Sequence, residues 1–242
     1  CETYGNESIE FEDMLYRLDE EIAELITFVT ANINMKDGIF VLTSDHGASD
    51  SFDYGVKERD RFNTSQFKVI VNGFMNAQYG PGDWVTEYCD RQLYLNRDLI
   101  YSNNLNLVEV QERVAAFALQ FRGVSHVLTS TAMSSSYFSG SYAEKMQNSF
   151  YPKRSGDIMI NLMPGWIEER DGIRSSSGSM YEYDTHVPLM MLGGNFHSNT
   201  VTRTVNMRDV APTLAHIMQI SRHIAAEGMA REEVATLFEK EK

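Results

Sequence analysis

Cysteine is nearly absent from this sequence: only Cys1 and Cys89 occur among 242 residues. So distant a pair builds neither a disulfide framework nor a cysteine metal site, and it says nothing about redox compartment. Basic residues are also short, 21 Lys and Arg against 34 Asp and Glu, for a formal net charge of −13. This balance argues against nucleic acid polymers and anionic membrane surfaces as the main partner. It leaves room for a small phosphorylated molecule, because bound cations can invert the field inside a pocket. No apolar run approaches the roughly 18 residues of a membrane span. Internal repeats, low-complexity tracts and a recognisable N-terminal export signal are missing as well. The chain opens on Cys1 rather than Met and enters a helical pattern within a few residues. That start suggests a polypeptide lacking its N-terminal part, in preference to a mature lipoprotein acylated on Cys1.

What is present is the composition of a globular domain, 43% hydrophobic and 23% charged, with material for a sizeable core. Apolar residues recur at helical spacing through Phe11, Met14, Leu15, Leu18, Ile22, Leu25, Ile26 and Val29. Asp19, Glu20, Glu21 and Glu24 form an acidic outer face, so a helix packed on a sheet is expected from Ser8 to about Ile33. A turn at Asn34–Gly38 leads to an expected buried strand, Gly38–Thr43, ending on Ser44-Asp45-His46-Gly47. The stretch 49–82 is more polar and carries Gly55, with a strand expected over Gln66–Phe74. A second helix starts at Asn106, with Glu109 at the capping-box position and Gly123 suited to its C-cap. Strands are expected at Val124–Leu128, Asp157–Leu162 and Val187–Leu192. A serine-rich loop covers Ser130–Ser141, and a short helix lies near Tyr142–Phe150. A helix begins near Asp209, with Pro212 in its first turn, and the charged last twenty residues suggest a loosely docked helix. Helices alternating with apolar strands whose polar clusters sit at strand ends describe an α/β layout.

Two of those clusters carry chemistry. Asp45 and His46 put a carboxylate and an imidazole at one strand end, where Gly47 permits the turn that lets both face one cation. By itself this is no better than an even choice between a metal site and a hydrogen-bonded pair. His186, within Tyr183-Asp184-Thr185-His186-Val187-Pro188-Leu189, stands at the start of another apolar strand. Two strand-edge sites with oxygen and nitrogen donors favour a bound zinc over coincidence. His126, His197, His216 and His223 have no partner pattern and read as structural or solvated. Lys153 and Arg154 are minor phosphate-binding candidates, and Ser175, Ser176 and Ser177 read as a flexible loop bordering a site mouth.

Val41-Leu42-Thr43-Ser44-Asp45-His46-Gly47 and Gly178–Leu189 resemble two metal-binding motifs of the alkaline phosphatase superfamily. The likeness is to its type I phosphodiesterase and nucleotide pyrophosphatase branch, and within that to the PafA-type bacterial alkaline phosphatases. Tyr151–Ile158, Pro164-Gly165-Trp166-Ile167, Arg208–Ala215 and the helix around Glu12–Asp19 are similar to further segments, so the resemblance runs through nearly the whole chain.

The resemblance implies an α/β fold, an alkaline-phosphatase-like sheet with helices on both faces, incomplete at its N-terminal side. Residues 1–242 would be the C-terminal portion of one catalytic domain, with an inserted α+β subdomain around 60–155. It implies a metal-dependent hydrolase of phosphate esters using two Zn2+ ions, two cations clamping an in-line displacement. Asp45 and His46 would hold one ion and His186 the other. The family's nucleophile and phosphate-gripping residues have no counterpart here, so no catalytic residue is assigned and this polypeptide alone is expected to be inactive. A periplasmic or secreted setting is implied, with membrane anchoring through a missing N-terminal segment. Small phosphorylated substrates are the expected partners, and self-association is expected through the face that truncation would expose. A sulfatase or phosphoglycerate mutase relative and an independently folding, non-catalytic binding module are the alternatives. The matches at 153–158 and 184–189 favour the phosphatase branch over the two enzyme relatives.

Overall fold

The computed structural model of the chain describes residues 2–49, 61–194 and 196–235. Cys1, Gly55 and the last charged residues, 236–242, lie outside the described residues. In chain order the elements are α1 (Ile9–Asn32), β1 (Ile39–Thr43), β2 (Arg61–Phe62), α2 (Thr64–Tyr79), β3 (Val85–Cys89) and β4 (Gln92–Leu95). There follow α3 (Arg97–Ser102), α4 (Leu107–Ala118), β5 (Val124–Thr129), α5 (Ser130–Ser135), α6 (Tyr142–Asn148), β6 (Ile158–Leu162) and β7 (Ile167–Glu168). Last come α7 (Glu182–Thr185), β8 (Leu189–Gly193), α8 (Val210–Ile217) and α9 (Glu232–Ala235). The chain divides into two compact units, Cys1–Tyr16 with Asp45–Val187, and Arg17–Ser44 with Pro188–Lys242.

The first unit is organised by a four-stranded antiparallel sheet in the order β3-β4-β6-β5. Every residue of β6 is buried, as expected for a central strand flanked on both edges. The core joins β4, β5 and β6 to α2, α3 and α4 through Phe67, Val71, Met75, Trp84, Leu93, Ile100, Val110, Val114 and Ile160. Each such side chain contributes about 1.5–3 kcal/mol on leaving water.

Residues 66–74 form part of helix α2, not a strand. Phe67, Val71 and Met75 are buried while Val69, which would share their face in a strand, is 70% exposed, so the burial follows one helix face. Asn63 caps it by accepting from Gln66 N–H. Asn106 caps α4 as anticipated, taking Val108 and Glu109 N–H groups. Gly123 is not that helix's cap: the helix ends at Ala118 with Leu119 in the cap position. Part of the expected serine loop, Ser130–Ser135, is helix α5, capped by the Thr129 hydroxyl. The β3–β4 hairpin and α3 were not anticipated.

In the second unit β1 and β8 pair antiparallel in register, from Ile39↔Gly193 to Thr43↔Leu189. Both strands fall where the sequence places them, but neither is buried. Leu42 pairs with Met190 and Phe40 with Leu192, and three of these four side chains are exposed. Helix α1 also occupies its expected span, yet none of its residues is buried and Leu25 is 54% exposed. The apolar stripes are real; the layers expected to cover them are not among the described residues.

Burial in this unit gathers at its C-terminal end. Asp209 accepts hydrogen bonds from Asn206 and Met229 N–H and pairs with the Arg231 guanidinium. Arg231 N–H in turn donates to the Thr213 hydroxyl. The segment leading to α9 is therefore tied down by Asp209 and Thr213 at the start of α8, not loosely docked. Burial alone would raise the Asp209 pKa, but the Met229 and Arg231 interactions outweigh it and hold the carboxyl below its ordinary range.

Candidate metal centre

His46 follows Thr43 by three residues and His186 precedes Leu189 by three. Both motifs therefore leave the same end of the β1–β8 pair. Gly47 N–H then donates to Asp184 O at 2.8 Å, joining the two motifs through their backbones. The approach is close enough that a Cβ on Gly47 would sit 1.9 Å from Tyr183 O, so only glycine fits.

Asp45 and His46 are neighbours in space as in sequence. Asp45 Oδ1 accepts the His46 N–H at 2.9 Å and lies 3.7 Å from His46 Nε2. Their side chains are open to solvent, 86% exposed for Asp45 and 52% for His46. His46 Nδ1 lies 2.6 Å from Gly47 O, a contact in which Nδ1–H donates to the carbonyl. Metal-ligating histidines use this arrangement, one ring nitrogen donating to a carbonyl while the other faces the ion.

His186 ends helix α7, and its N–H donates to Glu182 O at 2.8 Å. The turn that carries it is fixed from several sides. Tyr181 OH donates to Leu162 O, and Gly165 N–H donates to Tyr183 OH. Lys145 Nζ donates to Met180 O at 2.9 Å and to Thr185 Oγ1 at 2.8 Å. Asp184 is buried, and its Oδ2 accepts Ser179 N–H at 2.7 Å while Oδ1 has no partner among the described residues.

The serines just upstream are not a flexible rim. Ser175 is fully buried and donates to Ser49 O at 2.6 Å. Ser49 and Ser176 exchange a further pair of bonds, Ser49 N–H to Ser176 O at 3.0 Å and Ser176 N–H to Ser49 Oγ at 3.1 Å. Residues 175–179 thus grip the chain just after His46 and, through Asp184, the chain just before His186. Arg91 reaches the same strap, donating from Nη2 to Ser177 O at 2.8 Å. Beneath it Glu168 accepts from Arg91 N–H, Tyr88 OH and Arg170. Burial, and next the Glu168 carboxylate, push the Tyr88 hydroxyl far up, so it stays a donor.

Sequence reasoning named Asp45, His46 and His186 but missed Ser49, Arg91, Lys145 and Asp184. Asp184 lay inside a quoted motif; the other three belong to no motif, and only folding brings them to the turn. His126 behaves as a packed strand residue, its Nδ1 2.7 Å from Ser125 Oγ. Arg154 covers the Tyr151 ring and is exposed with Lys153.

The donors fit zinc in kind, a carboxylate oxygen and imidazole nitrogens, but not in number. Among the described residues no group of three or more His, Cys, Asp or Glu could hold a metal ion. A zinc site takes four ligands, three of them protein groups where catalysis leaves one position open.

Comparison with known proteins gives the chain's family and fold. The family model for type I phosphodiesterase/nucleotide pyrophosphatase matches residues 2–185. A protein of Myroides odoratus named calcium-transporting ATPase is 30% identical over 217 residues, 88% of this chain and 40% of its own length. Alkaline phosphatase PafA of Elizabethkingia meningoseptica is 25% identical over 233 residues, 96% of this chain and 43% of its own. The crystal structure of wild-type PafA superposes with a TM-score of 0.84 at 24% identity, covering 94% of this chain and 44% of that one. The fold is accordingly alkaline-phosphatase-like, and the chain spans about two fifths of the length of the curated relatives it matches.

Proposed function

Since the chain belongs to the type I phosphodiesterase/nucleotide pyrophosphatase family, we propose that it is part of a metal-dependent hydrolase of phosphate esters. Asp45, His46 and His186 supply part of a two-zinc site, Asp45 and His46 to one ion and His186 to the other. The observation that carries this reading is the Gly47–Asp184 bond, which joins the two donor-bearing turns at one end of the β1–β8 pair. A two-cation site would stabilise the attacking and leaving oxygens of phosphoryl transfer. This chain's own contribution is to hold donors: His46 with its ring oriented by the Nδ1 contact to Gly47 O, and His186 on a turn braced by Lys145 and Tyr181.

Among the described residues Asp45, His46 and His186 do not complete two zinc sites, and the 242 residues alone should be inactive. Small phosphorylated molecules are the substrates, and the enzyme works in the periplasm or as a secreted protein. Alone, the chain self-associates through the uncovered apolar face of β1, β8 and α1. The test is aryl phosphate hydrolysis by the full-length enzyme. Asp45→Ala and His186→Ala should each lower kcat by more than about 100-fold, with zinc content reduced. Unchanged turnover in both would refute the assignment.

A further inference from the structure

We propose that Arg91 is a positioning residue for the two donor-bearing turns, acting through the strap Ser175–Ser179. Its backbone is the first reason. Asp90 and Arg91 both have positive φ, 45° and 62°, at the tip of the β3–β4 hairpin. Two successive residues of this kind favour Asn-Gly or Asp-Gly, and an arginine there is strained. Glycine would serve the turn better, so the arginine is present for its side chain.

That side chain is buried and directed at one acceptor, the Ser177 carbonyl at 2.8 Å. The neighbouring residue is Gly178, where a Cβ would fall 2.9 Å from Arg91 Nη1 and φ is +92°. The strap is thus shaped to receive a guanidinium. On one side of Ser177, residues 175 and 176 bind Ser49, and on the other Ser179 binds Asp184. Arg91 therefore pins the midpoint of the segment that joins the chain after His46 to the chain before His186. The Glu168 carboxylate anchors it from below by accepting the Arg91 N–H. Buried polar networks of this sort fix one arrangement and lose it cooperatively when one member goes.

The proposal rests on the functional reading only for what is being positioned; its test needs neither metal nor substrate. Arg91→Gly keeps the hairpin conformation and the N–H to Glu168 while deleting the guanidinium. Amide exchange in the 242-residue chain should quicken at least tenfold at Gly47, Ser49 and Ser179, with Val71 and Val114 unchanged. The His46 and His186 imidazole resonances should shift together. Arg91→Lys, which keeps a cationic donor, should restore part of the protection; it also serves as the readout if the glycine variant does not fold. Exchange at Gly47, Ser49 and Ser179 that stays unchanged, or rises only in step with Val71 and Val114, would overturn the proposal. A strap that responds while Asp45→Ala and His186→Ala leave turnover of the full-length enzyme unchanged would instead sustain it and sink the functional reading.

Discussion

Strands β6 and β1 are nearly interchangeable as sequences, Ile-Met-Ile-Asn-Leu against Ile-Phe-Val-Leu-Thr, yet they have opposite surroundings. All five residues of β6 are buried between β4 and β5, whereas no residue of β1 is buried and its only partner among the described residues is β8. Helices α4 and α1 repeat the contrast: Val110, Val114 and Ala118 are buried, while the equally regular stripe of α1 stays open. An apolar pattern states which face needs covering. Whether it is covered depends on partners the pattern does not contain.

Core truncation should separate the two units most sharply. Phe67→Ala is expected to cost about 3–5 kcal/mol, against less than about 0.5 kcal/mol for Leu25→Ala. Trp84 and Trp166, both in the first unit, report its unfolding by fluorescence in denaturant. Equal costs would erase the contrast. Next in size is Gly47→Ala, where the new methyl meets the backbone oxygen of Tyr183 and neither can swing aside. A loss of about 1–3 kcal/mol is expected, with amide protection lost at residue 47 and at Ser49.

A smaller effect belongs to pH. Asp209 holds its proton less tightly folded than unfolded, where a carboxyl has a pKa of about 3.9. Its contribution is therefore complete above that value and vanishes as pH falls through the lower folded one. Protection of the Met229 amide should drop over that acidic range relative to Ile160, and Asp209→Asn should remove the dependence. The smallest change in stability is expected from Leu42→Ser with Met190→Ser, under about 0.5 kcal/mol. The same pair should nonetheless reduce sedimentation-detected self-association and dye binding, because it breaks the uncovered face.

Much of the fold was legible where one period dominated. α1, α4, β5, β6 and α8 lie within a few residues of their expected spans, since each carries a strong stripe or run and, in α4, a capping asparagine. Residues 66–74 were misread because an apolar-rich stretch fits either period, and only the exposure of Val69 between buried Phe67 and Val71 separates helix from strand. The β3–β4 hairpin was hidden by its turn: Asp90-Arg91 lacks the glycine that would announce it. The candidate site was legible only where donors sit in contiguous motifs. Arg91 and Lys145 reach it from 86 and 40 residues away in sequence, to Ser177 and Thr185 respectively, which no local pattern encodes.

The most direct test of the functional account is a zinc titration of the 242-residue chain by equilibrium dialysis, run beside 4-nitrophenyl phosphate hydrolysis. The expected result is binding well short of two ions per chain, weakened further by His46→Ala, and no turnover above the buffer rate. Two tightly held zinc ions together with steady turnover would contradict it, because the 242 residues would then have to contain the complete site.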